Sequence, residues 1–175
     1  MIDDEHGREV LGWDEFGVAA RDLARTVHED GFMPDLVLAI ARGGLLIAGA
    51  ITYALGTKNC CVLNVEYYTG PDERLELPVI LPPSLDLVDL HDAHMLIVDD
   101  VADTGNTLAL VVETVRPQVA ELRTAVLYDK PRSIVRCDYV WRSTDRWIDF
   151  PWSSKPTVRG NNADGLAATT IGHAS

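Results

Sequence analysis

The sequence predicts an α/β fold, an open and mostly parallel twisted sheet flanked by helices. Three observations carry that prediction. Short apolar runs such as Asp35–Ile40 (DLVLAI) read as strands buried on both faces, as parallel strands usually are. Helical patterns closed by glycine separate those runs, which is the alternation expected of βαβ units. With 175 residues, 47% of them hydrophobic and 24% charged, the chain can bury one core comfortably and two only poorly.

The elements follow in order. From Trp13 to Asp30, Phe16, Ala19, Ala20, Leu23, Ala24 and Val27 recur at helical spacing, and Gly31 supplies a stop. Asp35–Ile40 is the first buried strand. After ARGG, the Ala-rich stretch Leu45–Leu55 reads as a helix ended by Gly56, and Cys60–Tyr67 as the next strand. Residues 68–92 form a long irregular segment, in which Pro71, Pro78, Pro82 and Pro83 argue against a continuous helix or a central strand. A connection of that length in a compact domain is either a functional lid or disordered. Met95–Asp100 is a strand, Thr107–Val115 a helix stopped near Pro117, and Leu122–Tyr128 another strand. Asp138–Trp141 and Trp147–Phe150 are short extended candidates. Residues 1–152 are therefore expected to form a single domain, and the aperiodic segment 153–175 a loosely attached tail.

Charge and composition exclude several classes. A net charge of −12, from 15 Lys plus Arg against 27 Asp plus Glu, disfavours nonspecific nucleic-acid binding, which needs a basic face. A small anionic substrate stays compatible, because local dipoles can hold it against the global sign. No apolar run is long enough to cross a bilayer, and the opening MIDDEHGREV lacks the features of a secretory signal. Cys60, Cys61 and Cys137 show no metal-like spacing and read as buried reduced thiols, so a cytoplasmic location without membrane or nucleic-acid partners is expected.

The informative stretch is HMLIVDDVADTGNT, residues 94–107. Asp99 and Asp100 end an apolar strand, at the sheet edge where ligands gather. Ala102-Asp-Thr-Gly-Asn-Thr107 then turns into a helix, whose first N–H groups and partial positive charge suit a phosphate. Gly105 lets the backbone approach a ligand, and the Thr104 and Thr107 hydroxyls add donors. Adjacent carboxylates suit neighbouring sugar hydroxyls. One loop thus fits a ribose and its 5′-phosphate. The competing structural reading is that Asp103 or Thr104 merely caps the helix.

Ile97–Thr107, IVDDVADTGNT, resembles the ribose-5-phosphate loop of the type I phosphoribosyltransferases, which use phosphoribosyl pyrophosphate. A receiver domain also carries an Asp-Asp strand end, but near its start and without Asp-Thr-Gly-x-Thr. Leu38–Leu45, LAIARGGL, is similar to the family's pyrophosphate loop. There Arg42, with backbone N–H groups near Gly43 and Gly44, is implied to hold pyrophosphate, and an unusual Ala41–Arg42 peptide, with cis as a candidate geometry, is implied too. Within the family the pattern is nearest to the xanthine–guanine (6-oxopurine) enzymes. Lys130 in YDKP resembles the lysine that addresses the exocyclic oxygen of a 6-oxopurine. Asp145–Trp152, DRWIDFPW, is similar to their purine-binding segment, with Trp147 to stack on the base and backbone groups near Trp147 and Ile148 to read its 2-position. Trp152 is expected to be structural. The resemblance spans Leu36 to Trp152 and is most specific at Ile97–Thr107.

It implies the type I fold with a small hood or lid, assigned here to 68–92, and transfer of a 5-phosphoribosyl group to guanine, xanthine or hypoxanthine with release of pyrophosphate. Mg²⁺ is the implied cofactor, held by Asp99, Asp100 and Asp149 directly or through water. Asp99, Asp100, Asp103, Thr104, Gly105, Asn106 and Thr107 are the implied ribose and phosphate contacts. Asp103 is the implied acceptor of the purine N7 proton. Relatives are commonly dimers or tetramers, so a homo-oligomer is expected. Two alternatives remain at this point: a regulator that senses phosphoribosyl pyrophosphate, and a transferase acting on another base.

Overall fold

The computed structural model describes residues 2–3, 7–68, 77–81 and 90–158. They fall into two compact units, Trp13–Asp145 and a smaller one drawn from residues 1–12 and 146–175.

The larger unit is built on a six-stranded sheet. Its elements are α1 (Trp13–Glu29), β3 (Leu36–Ala41), α2 (Gly43–Leu55), β4 (Asn59–Tyr68), β5 (Leu77–Leu81), β6 (His94–Ala102), α3 (Asn106–Val115), a 3₁₀ turn at Arg116–Gln118, β7 (Glu121–Asp129) and β8 (Tyr139–Ser143). The spatial order is β5-β4-β3-β6-β7-β8. All neighbours pair in parallel except β5, which runs antiparallel to β4. The expected mostly parallel sheet with flanking helices is therefore what the chain forms.

Side-chain alternation divides the core. Leu36, Leu38 and Ile40 of β3 join Met95 and Ile97 of β6, Leu122 and Val126 of β7, and Leu108, Val111 and Val115 of α3 in one apolar cluster. The intervening strand residues Val37, Ala39, Leu96 and Val98 are also fully buried, as are Ala19, Ala20, Leu23 and Val27 of α1 and Ile47, Ala48 and Ile51 of α2. Each such large aliphatic side chain contributes about 1.5–3 kcal/mol by leaving water. Covering both faces in this way is what allows β3 and β6 to be continuous apolar runs.

Two details differ from the sequence expectation. Residues 77–81 of the irregular segment form β5, an edge strand in which Pro78 lies opposite Tyr67. An edge position tolerates the missing N–H, so the prolines excluded only a central strand. The rest of the expected lid, 69–76 and 82–89, lies outside the described residues. Cys60 is exposed rather than buried, while Cys61 and Cys137 are half-buried. Burial pushes the Cys137 thiol up to about 12, and burial with the neighbouring Cys60 pushes Cys61 up to about 11.

The smaller unit holds a three-stranded sheet of β1 (Ile2–Asp3), β2 (Glu9–Val10) and β9 (Ile148–Asp149), in the order β1-β2-β9, of which only β9 falls in an expected extended run, Trp147–Phe150. β2 and β9 pair in parallel, Glu9 opposite Ile148 and Val10 opposite Asp149. Of the expected tail, Ser153 and Ser154 donate their N–H groups to the Phe150 carbonyl. Residues 159–175 lie outside the described residues.

Candidate active site

Strand order determines which loops meet. β3, β6 and β7 are adjacent and parallel, so their carboxyl ends deliver Arg42, the segment Asp99–Thr107 and Lys130 to one edge of the sheet. From β3 the chain crosses through α2 to β4 on one side. From β6 it crosses through α3 to β7 on the other. Such a reversal opens a crevice between β3 and β6 at their carboxyl ends.

The acid pair sits at this crevice and is tied to the glycine loop. The Asp100 N–H donates to Asp99 Oδ1 at 2.9 Å. By accessible area Asp99 is only partly shielded, yet its carboxyl is densely surrounded by protein, and local packing is what governs desolvation. That burial, reinforced by the neighbouring Asp100 charge, raises its pKa well above the ordinary carboxylate value, against the N–H groups of Asp100 and Gly44, which favour the charged form. A Cβ on Gly43 would fall 1.9 Å from Asp100 Oδ2, and one on Gly44 would fall 2.5 Å from the Val98 carbonyl oxygen. The two glycines therefore let one loop lie directly on the other, a packing demand that comes before any demand from a ligand. The Ala41–Arg42 peptide is cis, the candidate geometry of the sequence reading. Arg42 is exposed and N-caps α2 without a side-chain cap.

The segment that follows wraps a cavity of about 370 Å³, floored by Asp99 and Val101 and walled by Ala102–Leu108. Gly105 is the N-cap of α3 with φ 82°, and no side-chain hydrogen bond caps the helix. Thr104 Oγ1 reaches only the Asn106 N–H, at 3.4 Å. The helix start thus faces the cavity without a side-chain cap, which suits an anion. Asp103 does not cap either. Its Oδ1 accepts from Arg132 Nε at 2.9 Å and from Arg132 Nη2, and Lys130 Nζ lies 3.6 Å away. Lys130 is buried, and its N–H donates to the Ala102 carbonyl at 3.1 Å.

The third proposed cluster belongs to the smaller unit. Trp147 is 66% exposed, while Ile148 is buried within β9. The Trp147 carbonyl already accepts the Glu9 N–H at 2.9 Å, so the strand ladder uses a backbone group the sequence reading had offered to the base. Asp149 faces Arg8 Nη1 at 3.4 Å. Trp152 stacks on Phe150 at 4.8 Å, which is a structural role. Among the described residues no group of three His, Cys, Asp or Glu side chains could hold a metal by itself.

Sequence reasoning missed Arg132 and Ser133. The one available signal was a second cation two residues after Lys130, in a Pro-containing turn. It also missed Arg8 and Glu9, whose two-residue strand is too short for any periodicity.

A parallel sheet with two strand-end loops, one glycine-rich and one pairing acids with a helix start free of side-chain caps, defines an enzyme that handles sugar phosphates. The phosphoribosyl transferase domain model matches residues 6–157, and the chain belongs to that family. It is a phosphoribosyltransferase. A xanthine-guanine phosphoribosyltransferase of Ruegeria sp. (strain TM1040) is 33% identical over 153 residues, 81% of this chain and 83% of that protein. The purine phosphoribosyltransferase from Pyrococcus horikoshii superposes with a TM-score of 0.74 at 36% identity, covering 86% of this chain and 97% of that one. The Helicobacter pylori xanthine-guanine-hypoxanthine enzyme shares the fold, with a TM-score of 0.72 at 21% identity over 83% of this chain and 93% of its own.

Proposed function

We propose that the protein transfers the 5-phosphoribosyl group of phosphoribosyl pyrophosphate to a 6-oxopurine, giving the nucleoside monophosphate and pyrophosphate. The observation that carries this reading is the cavity of about 370 Å³ lined by Asp99, Asp103 and the start of α3, which follow one another on one segment of chain. The names of the relatives support a purine acceptor.

In this reading the N–H groups and hydroxyls of Thr104–Thr107 hold the 5′-phosphate, and Asp100 with Asp99 holds the ribose diol. Arg42 and the Gly43 N–H hold the pyrophosphate. The bond from C1′ to pyrophosphate breaks as a bond from C1′ to a purine nitrogen forms, through a transition state with positive charge on the sugar ring. The purine N7 proton passes to the Asp103 carboxylate. Lys130 donates to the exocyclic oxygen, and Trp147 offers a flat apolar face to the base.

Mg²⁺ fits the donor set. A desolvated carboxylate beside a second one is a poor place for two negative charges and a good one for a hard cation with oxygen ligands. Asp99 and Asp100 would hold it with substrate oxygens. When bound, the ion neutralises the leaving pyrophosphate. In this reading the protein acts as a homo-oligomer.

The test is pyrophosphate release with Mg²⁺, phosphoribosyl pyrophosphate and a panel of guanine, xanthine, hypoxanthine, adenine and uracil. Release with at least one 6-oxopurine and with neither adenine nor uracil is expected. Release with adenine or uracil alone would move the acceptor to another class.

A further inference from the structure

We propose that Arg132 is a positioning residue: it clamps one oxygen of the Asp103 carboxylate and leaves the other presented to the incoming base. This inference rests on the reading of Asp103 as proton acceptor.

The geometry is one-sided. Arg132 Nε, Arg132 Nη2 and Lys130 Nζ all converge on Oδ1 of Asp103, and Oδ2 has no hydrogen bond or ion pair among the described residues. The last torsion of an aspartate is soft, so an untethered carboxylate swings its lone pairs over a wide arc. A planar guanidinium bonding through two nitrogens removes that freedom far better than a single ammonium does. A proton acceptor gains from having one oxygen held and one aimed, because misorientation at the reacting atom is costly in rate.

The backbone is arranged to bring Arg132 there. The Ser133 N–H donates to the Lys130 carbonyl at 2.9 Å, closing the turn that carries Arg132 at its tip. The Ile134 N–H donates to the Thr104 carbonyl at 2.9 Å, docking that turn on the ribose-phosphate loop. Gly105 permits the approach, since a Cβ there would meet Ser133 Oγ at 2.6 Å. The Arg132 side chain is itself 62% exposed, and exposed ion pairs add little to stability. What this pair supplies is therefore orientation, and its loss should be felt in turnover rather than in folding.

The experiment is steady-state kinetics of the full chain with Mg²⁺, phosphoribosyl pyrophosphate and the best 6-oxopurine of the panel, on wild type, Arg132→Met, Arg132→Lys, Asp103→Asn and the Arg132→Met/Asp103→Asn double variant. Arg132→Met should lower kcat about tenfold or more, keep KM for phosphoribosyl pyrophosphate within about twofold, and leave the melting temperature nearly unchanged. Arg132→Lys should recover part of the loss. In the Asp103→Asn background the Arg132→Met change should cost nothing further, because the group it positions is gone. An unchanged kcat in Arg132→Met, or the same fall in both backgrounds, overturns the positioning role and leaves the function standing. A wild type that turns over no 6-oxopurine overturns the function and this role together.

Discussion

Glycine meets its neighbours on both sides of the acid loop, and the neighbours differ in kind. At Gly44 an added Cβ would lie 2.5 Å from a backbone carbonyl and 3.3 Å from the Asp99 Cα, atoms fixed in the central strand of the sheet. At Gly105 it would lie 2.6 Å from the Ser133 hydroxyl, which can rotate away, and 3.0 Å from the Val135 nitrogen. The first junction is buried backbone against buried backbone. The second is a surface turn joined by one backbone hydrogen bond and an exposed ion pair. The side expected to grip pyrophosphate and metal is thus built rigidly, and the side expected to handle the proton can be adjusted one side chain at a time.

Four substitutions probe that contrast, taken from the largest expected effect downward. Asp103→Asn should lower kcat by about 10²-fold or more while leaving folding intact, the usual scale for losing a positioned proton acceptor. Full turnover in that variant would place the chemistry elsewhere. Gly44→Ala should destabilise the fold by about 1–3 kcal/mol, read from urea unfolding, because the strand backbone cannot retreat. A loss below about 0.5 kcal/mol would show that the rigid junction gives after all. Gly105→Ala should cost about 1–2 kcal/mol through its left-handed φ of 82°, with only a minor share from the Ser133 contact, so adding Ser133→Ala should restore little.

The smallest effect depends on pH. Burial and the adjacent Asp100 raise the Asp99 pKa in the folded state above its ordinary value of 3.8. The folded protein therefore binds a proton that the unfolded chain has already lost, and stability falls as pH rises from near 3.8 through the raised value. Asp99→Asn removes that penalty. In the absence of Mg²⁺ and substrate, its melting temperature should match wild type at acid pH and exceed it increasingly toward neutrality. A difference that stays flat with pH would mean the carboxyl is better solvated than its surroundings imply.

Most of this architecture can be read from residue patterns, and what cannot has a physical reason. β6 is legible because four apolar residues, Met95–Val98, precede two acids, a combination that fits a buried strand ending at a ligand edge. α1 is legible from its stripe of Ala19, Leu23 and Val27. β5 was hidden by Pro78, whose exclusion from central strands says nothing about edges. Gly43 and Gly44 are read in the sequence for their N–H groups toward pyrophosphate, while their tightest contacts are with Asp100 and Val98 of β6, which no local pattern encodes. The same limit hid Arg132, whose partner lies 29 residues upstream. Cys60 was expected inside because free thiols usually are, but an outer position on β4 leaves it in solvent.

The pairing of Glu9 and Val10 with Ile148 and Asp149 ties the placement of Trp147 to a peptide almost the whole chain away. Deleting residues 1–10 would remove the Glu9 amide that fastens the tryptophan's carbonyl.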